Sequence, residues 1–185
     1  LIIVHCENVA CTSVTATPID TTGDVGDFNS LIIDRRGLGI VSYYDATNRD
    51  LKFAACLDIA CTTATLRTLD SANDVGSHTS LALHNNGFPL IAYGDDTNGN
   101  LKLAICDDTC ATPNLVTIDA SANDVGNRNA LTALDDFVVV AHHDATAGAL
   151  KLTRCRTNAT VCNAVSSVTA DATATSGEGI AIARM

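Results

Sequence analysis

A unit of roughly 50 residues recurs along this chain: LIIVHC opens the copy 1–50, LKFAAC 51–100, LKLAIC 101–149, and LKLTRC the shortened copy 150–185. Self-similarity at a period of this size marks solenoids, propellers and other arrays, in which each unit buries its apolar face against its neighbour. The internal order of the full copies is constant. A loop bounded by two cysteines is followed by an apolar, Thr-rich stretch and a polar loop (TTGDVGDFNS, SANDVGSHTS, SANDVGNRNA). Two more apolar runs and a turn (YYDATNRD, YGDDTNGN, HHDATAGA) complete the unit. The fourth copy has no DVG sequence and offers Asp171 followed by ATATSGEG.

The pattern inside a copy is that of strands. SLALH and GFPLIAYG are short, apolar runs separated by Asn85, Asn86 and Gly87, and LKLAIC and NLVTID add two more around the Cys loop. No segment carries a helical apolar stripe, so the chain reads as all-β. Four strands per copy make one blade of a β-propeller, with strand a innermost and strand d outermost. Strand a is then SLIID, SLALH or ALTAL, b is LGIVSYY, PLIAY or VVVAHH, c is the Leu-Lys strand, and d follows the second Cys. The fold expected is a single propeller of three full blades plus a split, incomplete one. Its closing blade would take c and d from the N-terminus and a from GIAIA near Ile180, with strand b missing. Open edges at both ends predict self-association that completes the ring, unless the chain is part of a larger propeller.

Composition excludes several function classes. With 46% hydrophobic and 17% charged residues and no long apolar run, the chain is too apolar for disorder and has no membrane span. Eleven basic against 21 acidic residues give a net charge of -10, which repels a phosphate backbone, so nucleic acid is not an expected partner. The chain opens at Leu1 with no basic stretch ahead of an apolar one, so any secretion leader is expected to have been removed or to lie outside this sequence.

Eight cysteines fall two per copy: Cys6 and Cys11, Cys56 and Cys61, Cys106 and Cys110, Cys155 and Cys162. The intervening loop changes length while its ends persist, as cross-strand pairs closing hairpins tolerate, so four local disulfides are expected. Zinc would require two cysteines from another copy, and no His recurs in register. Disulfides place the chain in an oxidising setting, secreted or at a cell surface.

The unit SLAL, NNG, PLIAY, DDTNGNLKLAIC resembles the repeats of secreted bacterial β-propellers, the sialidase-like and related repeat group. That resemblance implies an extracellular propeller; members of the group include glycosidases, lectin-like binders and passive modules. The sialidase Asp-box, Ser-x-Asp-x-Gly-x-Thr-Trp, is absent, and the chain has no Trp.

Blade geometry puts the d-to-a and b-to-c connections on one face. Asp24, Asp74 and Asp124 from the DVG loops, with Asp45, Asp95 and Asp144 from the later turns, would make that face acidic. Such a face suits a glycan, calcium or a protein ligand; no other cofactor is called for. The competing reading is structural, since Asp and Asn cap tight turns and Gly26, Gly76 and Gly126 supply unusual backbone angles. Differences between copies are more informative. Phe28, His78 and Arg128 share one register at the start of strand a, and Tyr44 and His143 share another at the end of strand b. His142 and His143 point to opposite faces of a strand, which argues against a catalytic pair. Lys52, Lys102 and Lys151 read as solvated or paired with the preceding turn's carboxylate. Asn158 to Thr160 is one glycosylation sequon. The sequence thus favours an extracellular binding or assembly module. The alternative, a sialidase-like glycoside hydrolase or lyase, would draw on Asp24, Asp74, Asp124 and Glu178, with two carboxyl groups in one pocket and one pKa raised.

Overall fold

The computed structural model describes residues 1–121, 124–157, 161–173 and 179–183. Among them are fourteen strands and no helix long and apolar enough to cross a membrane. Sheet I is an antiparallel pair, β1 (Ile2–Cys6) and β2 (Val14–Pro18). Sheet II is β3 (Val25–Ile33), β4 (Gly39–Asp45), β5 (Asp50–Cys56) and β6 (Ala64–Asp70). Sheet III is β7 (Val75–Leu83), β8 (Pro89–Asp95), β9 (Asn100–Ile105) and β10 (Asn114–Asp119). Sheet IV is β11 (Val125–Leu134), β12 (Phe137–Asp144), β13 (Ala149–Thr157) and β14 (Cys162–Asp171). Each four-stranded sheet is an antiparallel meander in chain order. The row of sheets is not closed on itself. Residues 179–183 form no strand, so the closing strand expected near Ile180 is not made. Glu178 and the sequon Asn158 to Thr160 lie outside the described residues.

Alternation within the strands gives every sheet two apolar faces, because successive side chains point to opposite sides. Ile3 of sheet I packs on Val41, Tyr43 and Ala54 of sheet II. Leu51 and Phe53, on the other face of sheet II, meet Ile91, Tyr93 and Ala104 of sheet III. Leu101, Leu103 and Ile105 of sheet III meet Val138 and Val140 of sheet IV. Near-complete burial of Leu101 and Leu103 stabilises the last of these by about 1.5 to 3 kcal/mol per side chain.

The DVG motif is the joint between sheets. Val75 and Val125 are buried, and their N–H groups donate to the carbonyls of Arg49 and Gly99 in the preceding sheet. The glycine that follows lies where that sheet's backbone passes: a Cβ on Gly76 would stand 2.6 Å from Leu51 Cα, at a φ of +101°. Only glycine combines that dihedral with that approach. Within each sheet the DVG loop is tied to the later turn, since the N–H groups of Asp24, Asp74 and Asp124 donate to the hydroxyls of Thr47, Thr97 and Thr146.

A buried ionic bond crosses every junction. Asp20, Asp70 and Asp119, after or at the end of each sheet's last strand, accept from Lys52, Lys102 and Lys151 of the next, the latter two at 2.5 Å. Tyr43 and Tyr93 donate their hydroxyls to Asp20 and Asp70 at 2.8 Å. The lysines are therefore not solvated. Their main partner lies 32 residues earlier in the chain, and the turn carboxylate Asp45 is 3.9 Å from Lys52. Burial alone would push the Asp20, Asp70 and Asp119 carboxyls up. Bonds from the lysines, with those from the tyrosines at Asp20 and Asp70 and from backbone N–H groups, outweigh it and hold all three below the ordinary value.

The four expected disulfides are all present, Cys6–Cys11, Cys56–Cys61, Cys106–Cys110 and Cys155–Cys162, and no cysteine is free. In the first three loops the side chain of Asn8, Asp58 or Asp107 accepts backbone N–H bonds across the turn. Closing loops this short adds roughly 2 kcal/mol each.

Asp70→Asn leaves the Lys102 ammonium buried without its counter-charge and is expected to lower stability by roughly 3 kcal/mol at pH 7 in urea unfolding. Because the folded pKa of Asp70 lies below its unfolded value, this contribution is complete above that value and lost as pH falls through the folded pKa. The gap between native chain and variant should therefore close below about pH 4.

Candidate functional site

The first strands β3, β7 and β11 lie side by side, linked by equivalent bonds that each span 51 residues of chain. Leu81 N–H donates to Ser30 Oγ and Leu131 N–H to Ser80 Oγ. Near the start of each strand the pairing with its neighbour is irregular, and the residue at the irregularity has a left-handed backbone: Phe28 at φ 49°, His78 at 51°, Arg128 at 49°. Such a conformation costs of order 1 to 3 kcal/mol for a residue with a Cβ, and Gly or Asn would relieve it. Here the register instead carries three large side chains of different chemistry.

Those side chains converge. Phe28, His78 and Arg128, with Asn29, Thr79 and Asn129, line an open cavity of about 180 Å³. The Phe28 and His78 rings lie 4.2 Å apart between centroids, tilted by 38°, and Tyr44 is 6.0 Å from Phe28. The backbone that aims them is anchored from the adjacent strand: Thr79 Oγ1 donates to the Phe28 carbonyl and Asn129 Nδ2 to that of His78. Burial, with the Arg128 charge, holds the His78 imidazole below its ordinary pKa against the pull of Asp96, so the ring is neutral near pH 7.

The acidic residues divide into two kinds. Asp45 and Asp95 are buried, and each carboxylate closes its own turn by accepting from Asn48 or Asn98; Asp144 is likewise buried and accepts from the Ala147 N–H. These are turn caps. Asp74 accepts from the Tyr44 hydroxyl at 2.7 Å and lies 3.7 Å from Arg49; Asp124 accepts from Asn127. Asp24 is exposed on sheet II, and His143 is buried in sheet IV with no hydrogen bond at Nε2; neither lines the cavity. His142 and His143 do not act together, since they face opposite sides of β12. Among the described residues, no group of three or more His, Cys, Asp and Glu side chains is disposed to hold a metal ion.

One carboxylate escaped the sequence reading. Asp96 stands where the other sheets have Ala46 and Ala145, and it accepts from Ser77 Oγ at 2.7 Å. The residue is exposed, yet partial desolvation of its carboxyl by the surrounding protein raises its pKa. The Ser77 bond and His78 oppose that rise, and the charges of Asp74 and Asp124 add to it. Gly94 makes the room, because a Cβ there would lie 2.5 Å from Ser77 Oγ and 3.1 Å from Asp96 Oδ1, where sheets II and IV carry Tyr44 and His143. The signal was legible as two departures in one turn, YGDDTN against YYDATN and HHDATA. A carboxyl that gains a proton more easily than usual thus lies within electrostatic reach of Asp74, Asp124 and His78.

No known family profile matches the chain, and neither does any curated protein sequence. Among solved structures it is similar to a GH43 β-1,3-galactosidase, a propeller enzyme, with a TM-score of 0.57 at 10% identity. The likeness covers 85% of this chain and 37% of that one, so this chain spans little more than a third of the galactosidase. At that identity the likeness bears on fold alone.

Removing the Ser77 hydroxyl takes away a bond that favours ionised Asp96. Ser77→Ala should raise the Asp96 pKa further, read from the pH titration of its carboxyl carbon by NMR. Because the folded pKa exceeds the unfolded one, ionising Asp96 costs stability as pH rises. Asp96→Asn should therefore unfold at higher urea concentration than the native chain at pH 7, and the difference should vanish at pH 3.

Proposed function

We propose that this chain is an extracytoplasmic β-propeller module, of the sialidase-like repeat kind, that binds a carbohydrate at the cavity between its innermost strands. The likeness to a propeller glycosidase supports the fold reading, and the four disulfides point to an oxidising, extracytoplasmic environment. The observation that carries the ligand reading is the register Phe28, His78, Arg128. Three successive sheets hold a strained backbone at one place, and each spends it on a different recognition side chain. A position kept for its turn geometry would carry Gly or Asn in all three.

The cavity is smaller than the ~300–1,000 Å³ of drug-sized ligand sites, so it suits a single sugar residue or chain end rather than a buried oligosaccharide. The Phe28 ring offers a face for the apolar side of a pyranose. Arg128, His78 and Asp96 offer donors and acceptors for its hydroxyls.

One observation favours a second reading, that of a glycoside hydrolase. A carboxyl with a raised pKa, acted on by two further carboxyl groups, is the kind of pairing that acid and base catalysis of glycosidic cleavage requires. In that reading Asp96 is the acid, and Asp74 or Asp124 the base or nucleophile.

Arg128→Gly separates recognition from turn geometry. It should stabilise the fold by about 0.5 to 1 kcal/mol through relief of the left-handed strain. On a glycan array, and by calorimetry on any hit, it should weaken binding at least tenfold. Unchanged binding would remove this register from the site. The same hits incubated with native chain and with Asp96→Asn distinguish the readings: cleavage abolished by the variant makes the protein a hydrolase, and binding without cleavage makes it a lectin-like module. Binding that survives EDTA is expected of a sugar site that uses no calcium.

A further inference from the structure

Every sheet in the row has a leading face, turned to the next sheet, and a trailing face, turned to the one before. At the junction of sheets II and III the leading Leu51 and Phe53 cover the trailing Ile91 and Tyr93. At the junction of III and IV the leading Leu101 and Leu103 cover the trailing Val138 and Val140. Leading faces meet trailing faces throughout; no two like faces meet.

Among the described residues the row ends with one face of each kind uncovered. On the trailing side of sheet I, Ile2 is 64% and Val4 57% exposed; directly opposite them on β2 stand Pro18 and Ala16, with Val14 beyond, all exposed and all apolar. On the leading side of sheet IV, Val139, Leu152 and Val168 surround an apolar hollow of about 430 Å³ with Arg154 and Ser166 at its rim. Leu152 occupies the register that Phe53 and Leu103 fill at the covered junctions.

We infer that two copies of this chain associate head to tail, the leading face of sheet IV of one against the trailing face of sheet I of the other. The occupant is identified by what already covers these faces inside the chain, since a leading face of this repeat is three times covered by a trailing face of the same repeat. The contact is heterologous, so a second one between the remaining ends can close the pair into a ring. The inference stands independently of the carbohydrate reading.

The test uses two end-blocked variants of the full chain with disulfides intact, Val168→Glu on the leading end and Val4→Glu on the trailing end. Both positions are exposed, so each variant should keep the native circular dichroism spectrum and melting behaviour. Light scattering across a dilution series should give the native chain twice its 19.2 kDa, and each variant alone 19.2 kDa. Mixed in equal amounts, the two variants retain one leading and one trailing face between them and should return to twice that mass. A native chain that stays at 19.2 kDa at every concentration overturns the inference, as faces covered only by a further repeat of a longer chain would give. A Val4→Glu variant that still pairs with itself also overturns it, because the contact would then join like faces.

Discussion

A carboxylate buried at each junction between sheets, met by a lysine of the next sheet and at the first two junctions by a tyrosine as well, is the bond on which the order of this molecule depends. Apolar faces of Leu, Ile, Val and Ala would pack in several offsets at nearly equal cost, because aliphatic contacts carry little directional information. Asp70 between Lys102 and Tyr93 has one arrangement that leaves no buried charge unpaired. Displacing sheet III by one residue along sheet II would strand an ammonium and a carboxylate in the interior, at a cost of several kcal/mol. The ionic bond thus fixes the register, and the apolar contacts supply the energy. Val75 and Gly76 then set the distance, since nothing larger than glycine passes the Leu51 backbone.

This division of labour explains which parts of the structure were legible in the sequence. The strands, the cysteine pairs and the meeting of the DVG loop with the later turn are local, so alternation and turn residues were enough to place them. The lysine's partner was not, because Asp70 and Lys102 belong to different sheets, and charge pairing by nearness in sequence points to Asp95 instead. The left-handed backbone at Phe28, His78 and Arg128 was hidden for a different reason. Propensity reads such angles from Gly and Asn, and here the strain is imposed by the bonds that hold the Phe28 and His78 carbonyls from the neighbouring strand. Asp96 is not marked by the repeat, because Ala46 and Ala145 stand at its position in the other sheets.

The candidate site is consistent with that view of a repeat. Sheets II and IV close the space beside the turn with Tyr44 and His143; sheet III opens it with Gly94 and puts Asp96 and Ser77 there. Each of the three changes alone is unfavourable or empty: a carboxylate without room, a hydroxyl without a partner, a gap without a filler. Together they place a carboxyl with a raised pKa within electrostatic reach of His78, Asp74 and Asp124. A molecule under selection for stability alone would gain by reverting them.

Sheet IV shows the opposite case, a coordinated change that serves only the fold. His142 replaces the tyrosine of the junction and is too short to reach the carboxylate, leaving 3.6 Å to Asp119 where Tyr93 has 2.8 Å to Asp70. Full burial lowers its pKa to about 4, against the pull of Asp119, so it stays neutral and adds no charge to the junction. Its Nε2 pairs instead with Thr153, which stands where the other sheets have Ala54 and Ala104, and Thr153 in turn bonds Ser167. The substitution at one strand is therefore compensated on the next two strands of the same sheet, and Lys151 alone carries the ionic bond to Asp119. A copy can lose its aromatic partner and keep its place in the row as long as the lysine remains, which ranks the charge pair above the hydroxyl in holding the sheets in register.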